Sequence, residues 1–209
     1  MRSLFAAVVV LGLSGLLLAR SVSAEPPPPM EGREVAKIIE GLKKKPALKT
    51  ELASVRFFAE ALGQKSLQVP MGSPLETLGP WGDNGALREA ERSIGARECG
   101  ALSAAEMKAA SAILAEYGDA LPVTLRAYTL GQQGKKPEAA ELFATFIDQQ
   151  MPDGPSCPSE HPMYSYRRTA RISFALNCLT VLAPARDVSK QQKRLQRAQD
   201  CSKNNHAVG

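Results

Sequence analysis

Apolar residues recur along this chain at intervals of three and four. Val35, Ile38, Ile39 and Leu42 fall on one helical face, and Leu48, Leu52, Val55, Ala59 and Leu62 repeat the pattern after Lys45-Pro46, up to Gly63. Helical spacing resumes from Asn84 to about Arg97. Ser103-Ala-Ala-Glu106 has the form of a capping box, and Met107, Ala110, Leu114 and Tyr117 then share a face that Gly118 closes. Asp119 is expected to cap the next helix, with Pro122 in its first turn and Leu121, Leu125 and Tyr128 on one inward face. Pro137 opens another helix, with Ala139, Leu142, Phe143 and Phe146 inward. After Pro152-Asp-Gly-Pro155, Ile172, Ala175, Leu176 and Leu179 form one stripe, which Ala183-Pro184 ends. A last helix, at about 187–202, has only Val188, Leu195 and Ala198 as a seam. No segment of any length alternates with period two. The expected fold is all-α: stacked helical hairpins, either α-solenoid-like or an irregular helical bundle.

Breaks in the pattern divide the chain. Residues 33–203 are expected to form a single helical domain with a long loop at 64–83, and 204–209 a disordered tail. Pro and Gly residues punctuate that loop, which also holds the only tryptophan, Trp81. A loop of this length is often functional. The plainer expectation is that Leu67, Val69, Leu75, Leu78 and Trp81 cover a side of the core.

The N-terminus reads as a signal peptide. Arg2 supplies positive charge, Leu4–Ala19 is apolar, and Val22-Ser23-Ala24 places small residues for cleavage after Ala24. The apolar run falls short of the ~20 residues that span a bilayer, so a retained anchor is the less favoured alternative. Residues 25–32 form a proline-rich linker. Removing residues 1–24, which hold Arg2 and Arg20 and no acid, lowers the formal charge from +5 to +3. That balance gives no reason to expect a nucleic-acid partner. Export places the chain in a secreted or periplasmic setting, with no stable membrane span after cleavage.

Cys99, Cys157, Cys178 and Cys201 are an even set, which in an exported chain reads as two disulfides with three possible pairings. The favoured one joins Cys178 to Cys201, two helical positions flanking a turn, and leaves Cys99 with Cys157.

Catalytic chemistry is sparse. His161, near Cys157, and His206, near the C-terminus, are the only histidines. A zinc site normally needs four ligands, and a serine or cysteine triad needs a dedicated histidine, so no metal, cofactor or catalytic residue is assigned. A glycosidase needs two carboxylates a few ångströms apart, which sequence spacing does not reveal. Glu89, Glu91, Glu138 and Glu141 read as solvated helix surface. Two basic clusters remain: Arg167, Arg168 and Arg171 on one helix, and Arg186, Lys190, Lys193, Arg194, Arg197 and Lys203 toward the C-terminus. The C-terminal cluster is either a solvated helix face or a contact for an acidic partner or anionic envelope lipid.

One stretch carries a family pattern. Ala127 and Ala139 supply small residues for a close helix crossing, Gln133-Gly134-Lys135 a tight turn, and Phe143 a filler between the helices. Residues 123–152 thus resemble a single tetratricopeptide repeat, although no tryptophan stands near the start of the first helix and Phe146 replaces a small residue. The resemblance implies protein or peptide binding in a concave groove, here between the hairpins at 103–151, with hairpins at 34–62 and 84–117 stacking on the repeat to bury its face. The expected function is therefore a non-enzymatic, exported scaffold or adaptor of the cell envelope whose partner is another envelope or secreted protein. Tyr128, Gln132, Lys135 and Lys136 are the expected rim of that surface, and Arg194 and Arg197 belong to a second contact. The alternative is a secreted, carboxylate-dependent cell-wall hydrolase of helical fold.

Overall fold

The computed structural model describes residues 32–68, 85–152, 157 and 162–207. The signal sequence, the linker as far as residue 31, Trp81 and His161 lie outside the described residues. The chain is all-α, as its periodicity predicts. The helices are α1 (Val35–Lys43), α2 (Lys49–Arg56), α3 (Gly85–Gly95), α4 (Ala104–Tyr117), α5 (Val123–Gln132), α6 (Lys136–Gln150), α7 (Pro162–Leu182) and α8 (Ser189–Ala207). Within the stretch expected to be a loop, β2 (Ser66–Gln68) pairs antiparallel with β1 (Gly32–Glu34), Arg33 opposite Leu67. This three-residue ladder is too short to show a period of two, and it seats Leu67 wholly in the core.

Side chains at the predicted spacings fill the interior. Val35, Ile38 and Leu42 are buried on α1, Ala110 and Tyr117 on α4, and Ile172, Ala175 and Leu179 on α7. At the end of α2 the helix widens into a π-type turn, Phe57–Ala61, in which the Leu62 amide bonds back to the Phe57 carbonyl. This lets the consecutive residues Phe57 and Phe58 both turn inward. The Ser103–Glu106 capping box forms in full and starts α4. Asp119 does not cap α5. It lies in a short 3-10 turn, Gly118–Ala120, and pairs with Arg126 instead.

α5 and α6 pack as a hairpin across the turn at Gly134, whose φ of +83° suits glycine. The amides of Gly134 and Lys135 bond to the carbonyls of Gly131 and Leu130, which satisfies the end of α5. Ala127, Ala139 and Phe143 are fully buried in this hairpin. α3 and α4 do not form the expected hairpin at 84–117. After α3 the chain takes left-handed backbone at Glu98 and Cys99, and α3 packs on α2 and α7 instead.

The cysteines pair as Cys99–Cys178 and Cys157–Cys201, which corrects the expected connectivity. α7 and α8 run antiparallel across a short connection. Cys178 lies near the connected end and Cys201 some way down α8, an offset of about 12 Å at 1.5 Å per residue. That exceeds the reach of a disulfide. Cys157, just before α7, stands beside Cys201, while Cys178 faces the turn after α3. α8 itself continues to Ala207, beyond the expected end of the folded part at 203.

Candidate functional site

Among the described residues, a concavity lies between two helices far apart in sequence. α3 supplies one wall, from Gly85 to Ala96, and α7 the other, from Tyr166 to Asn177, around a cavity of about 880 Å³. Local packing fixes both walls. On α3, Ala86, Leu87, Ala90 and Ile94 turn into the core, which leaves Arg88 and Arg92 outward. On α7, Ile172, Ala175 and Leu179 turn inward, which presents Arg167, Ala170, Arg171 and Phe174 to the cavity. Tyr166 stands at its edge, 65% exposed.

Charge sets the character of the groove. Its lining holds Arg88, Arg92, Arg167 and Arg171 against Glu89 and Glu91, a formal excess of two positive charges. α7 has no acidic residue anywhere along its length. Glu89 pairs with Arg92 within α3. Glu91, read from sequence as solvated, is only 5% exposed. The Thr124 hydroxyl donates to its Oε1 at 2.7 Å, and Arg171 Nε lies 3.7 Å from its Oε2. This carboxylate therefore ties α3 to α5 and α7. The Arg171 guanidinium also sits over the Phe146 ring, 5.1 Å from its centroid. The Cys99–Cys178 disulfide joins the two walls near the Asn177 end.

The residues expected to contact a partner fare differently. Tyr128 is in the core, not on a rim: it is wholly buried, and its hydroxyl donates to the Gly100 carbonyl. Burial pushes its phenol up to about 12, so the proton that makes this bond is retained. Gln132 is half-buried and accepts a hydrogen bond from the Leu102 amide at 3.2 Å, which holds the approach to α4. Lys135 and Lys136 are exposed beside the α5–α6 turn, away from the α3–α7 groove.

The basic C-terminal helix is also committed internally. Lys190 reaches Asp148 at 2.7 Å, and Arg194, 6% exposed, lies 3.4 Å from the same carboxylate. Arg186 bonds to Glu141 at 2.6 Å and holds that carboxyl below its ordinary value. Arg197 donates to the Pro152 carbonyl at 2.7 Å. Lys190 and Arg194 hold α8 to α6, Arg186 and Arg197 brace its approach and its middle, and Arg194, expected at a second contact, is buried while Arg197 is half-buried and bonded within the chain. The scarcity of apolar residues on α8 explains these contacts, since charge and the Cys157–Cys201 bond do what a wide apolar seam does elsewhere.

Sequence reading singled out Arg167 and Arg171 but missed α3 as their counterpart. The one available signal was Glu91, which keeps helical step with Leu87 and Ile94 and so lies on a buried face. Among the described residues, no group of three or more His, Cys, Asp and Glu side chains is placed to hold a metal ion. None of the described helices is long and apolar enough to cross a membrane.

Fold and site together define an all-α protein, cross-linked by two disulfides, with an arginine-lined groove between helices. The disulfides fit an oxidising location. No protein-family model matches the chain, and neither a curated protein nor a solved structure shows significant similarity to it.

Proposed function

We propose that this protein is an exported, non-enzymatic scaffold or adaptor of the cell envelope, and that it binds an acidic segment of another envelope or secreted protein in the α3–α7 groove. The observation that carries this reading is the groove's lining, four arginines and two glutamates around about 880 Å³. Guanidinium groups bind carboxylates through paired, charge-assisted hydrogen bonds, so an acidic segment is the complementary occupant. Export rests on the signal-like residues 1–24 and agrees with the two disulfides. The tetratricopeptide-like pattern of 123–152 supports a binding role. In this reading, however, the α5–α6 hairpin is the support that holds α7, and the binding wall lies elsewhere.

Two-carboxylate hydrolysis is the weaker reading. It needs a pair of acids flanking the substrate. In the groove Glu89 pairs with Arg92, Glu91 is bound by Thr124 and Arg171, and the facing α7 wall carries no acid.

Fluorescence anisotropy with a labelled glutamate-rich peptide tests the proposal. Binding is expected to weaken steeply with salt, and about tenfold or more in Arg88→Glu/Arg92→Glu. Equal binding of a lysine-rich peptide, or no effect of the double substitution, would overturn it.

A further inference from the structure

We infer that the corner between α1 and α2 is a docking surface for anionic phospholipid headgroups. It does not depend on the α3–α7 groove and shares no residue with it.

Positive charge is concentrated there. Four of the seven residues from Lys43 to Lys49 are lysines, separated only by Pro46, Ala47 and Leu48. Residues 32–68 carry eight basic and four acidic side chains, an excess of four, whereas the whole chain from residue 25 onward has an excess of three.

Packing decides which way these side chains face. Leu42 is buried at the end of α1, and Leu48 and Leu52 pack against the core beyond the corner. The Lys45 amide bonds to the Leu42 carbonyl and the Leu48 amide to the Lys45 carbonyl, across a short 3-10 turn at Pro46–Leu48. Proline at its start fixes the backbone. The leucines thus anchor the corner from beneath, and Lys43, Lys44, Pro46, Ala47 and Lys49 are exposed.

Folding does not account for all of this charge. Lys43 and Lys44 end α1, where cations complement the helix dipole. Lys49 is the first residue of α2, where a cation opposes it. Nearby acids are engaged by other residues: Glu40 pairs with Lys43, and Arg56 takes both Glu60 and Glu116. Lys44 and Lys49 form no salt bridge among the described residues. On α8, by contrast, Lys190 and Arg194 are committed to Asp148.

The residue types identify the ligand. A lysine ammonium is a compact point charge without the arginine fork that orients a single carboxylate, so four together suit a planar array of phosphates. Clusters of this size attract anionic bilayers, each lysine contributing about fivefold in affinity. Pro46 and Ala47 are too small to reach far among acyl chains, which keeps the contact at headgroup level and makes it electrostatic.

Vesicle co-sedimentation of the oxidised chain from residue 25 onward tests this, with vesicles of phosphatidylglycerol and phosphatidylcholine compared with phosphatidylcholine alone. Retention by the anionic vesicles only is expected, falling as salt rises. Lys44→Gln/Lys49→Gln is expected to weaken it about twentyfold. Lys135→Gln/Lys136→Gln removes the same net charge from another exposed site and is expected to leave it within about twofold. No retention by anionic vesicles, equal retention by neutral ones, or equal losses in the two double variants would each overturn the proposal. Retention on immobilised polyphosphate without retention by vesicles would also overturn it. Acidic-peptide binding in the groove is expected to be unchanged in Lys44→Gln/Lys49→Gln, and a parallel loss would overturn the separation of the two surfaces.

Discussion

The α5–α6 hairpin and the α3–α7 groove divide the molecule's sequence signal and its exposed chemistry between them. The repeat resemblance falls on the hairpin, yet the side chains that prompt it, Ala127, Tyr128, Ala139 and Phe143, are all turned into the core. The groove has no motif and joins segments about seventy residues apart, yet it gathers four arginines around one cavity. Residues that fix a helix pairing are legible because they repeat locally. A groove depends on which distant helices meet, and here a left-handed turn and a disulfide decide that.

The largest expected effect comes from cutting the link between the groove walls. Cys99→Ala/Cys178→Ala is expected to lower unfolding stability by about 4.5 kcal/mol in the chain-entropy model, because the bond spans 79 residues. Urea denaturation measures this, and a loss under about 1 kcal/mol would show that the walls meet without the cross-link.

Next is Glu91→Ala, which strips Arg171 and Thr124 of their shared partner. A cost of about 3 kcal/mol is expected, since a partly buried guanidinium loses its counter-charge. If thermal unfolding shows no cost, Glu91 is not the tie between α3, α5 and α7.

Tyr128→Phe sharpens the contrast from the hairpin side. Removing the hydroxyl is expected to cost about 1 kcal/mol at neutral pH and to leave peptide binding unchanged. The raised phenol also sets a pH dependence. The folded value, about 12, lies above the ordinary 10, so its contribution is complete below pH 10 and is lost as pH rises through 12. The phenylalanine variant should lack this alkaline step in melts followed across that range.

Lys135→Glu/Lys136→Glu is the smallest change: stability within about 0.5 kcal/mol of the parent, and no change in acidic-peptide affinity. A marked loss of binding there would return the docking surface to the hairpin.

Helix positions, inward faces, the capping box and the α5–α6 turn were all readable, because each depends on spacing within one or two turns. The disulfide connectivity was not. Choosing Cys178–Cys201 from proximity in sequence overlooked that an antiparallel return carries Cys201 about 12 Å past Cys178. The C-terminal charges misled for a related reason. On its own α8 reads as a free cationic face, and only its packing on α6 brings Glu141 and Asp148 opposite Arg186 and Lys190. Arg167 and Arg171 were visible as a cluster, but their meaning came from α3.

Site-directed crosslinking tests the docking claim most directly. A photoreactive residue at Ser173, exposed on the α7 wall, is compared with one at Lys135, exposed beside the hairpin turn, in the cells that make this protein. A discrete adduct from Ser173, lost in Arg88→Glu/Arg92→Glu, with none from Lys135, is the predicted result. An adduct from Lys135 alone, or none from either position, would contradict it.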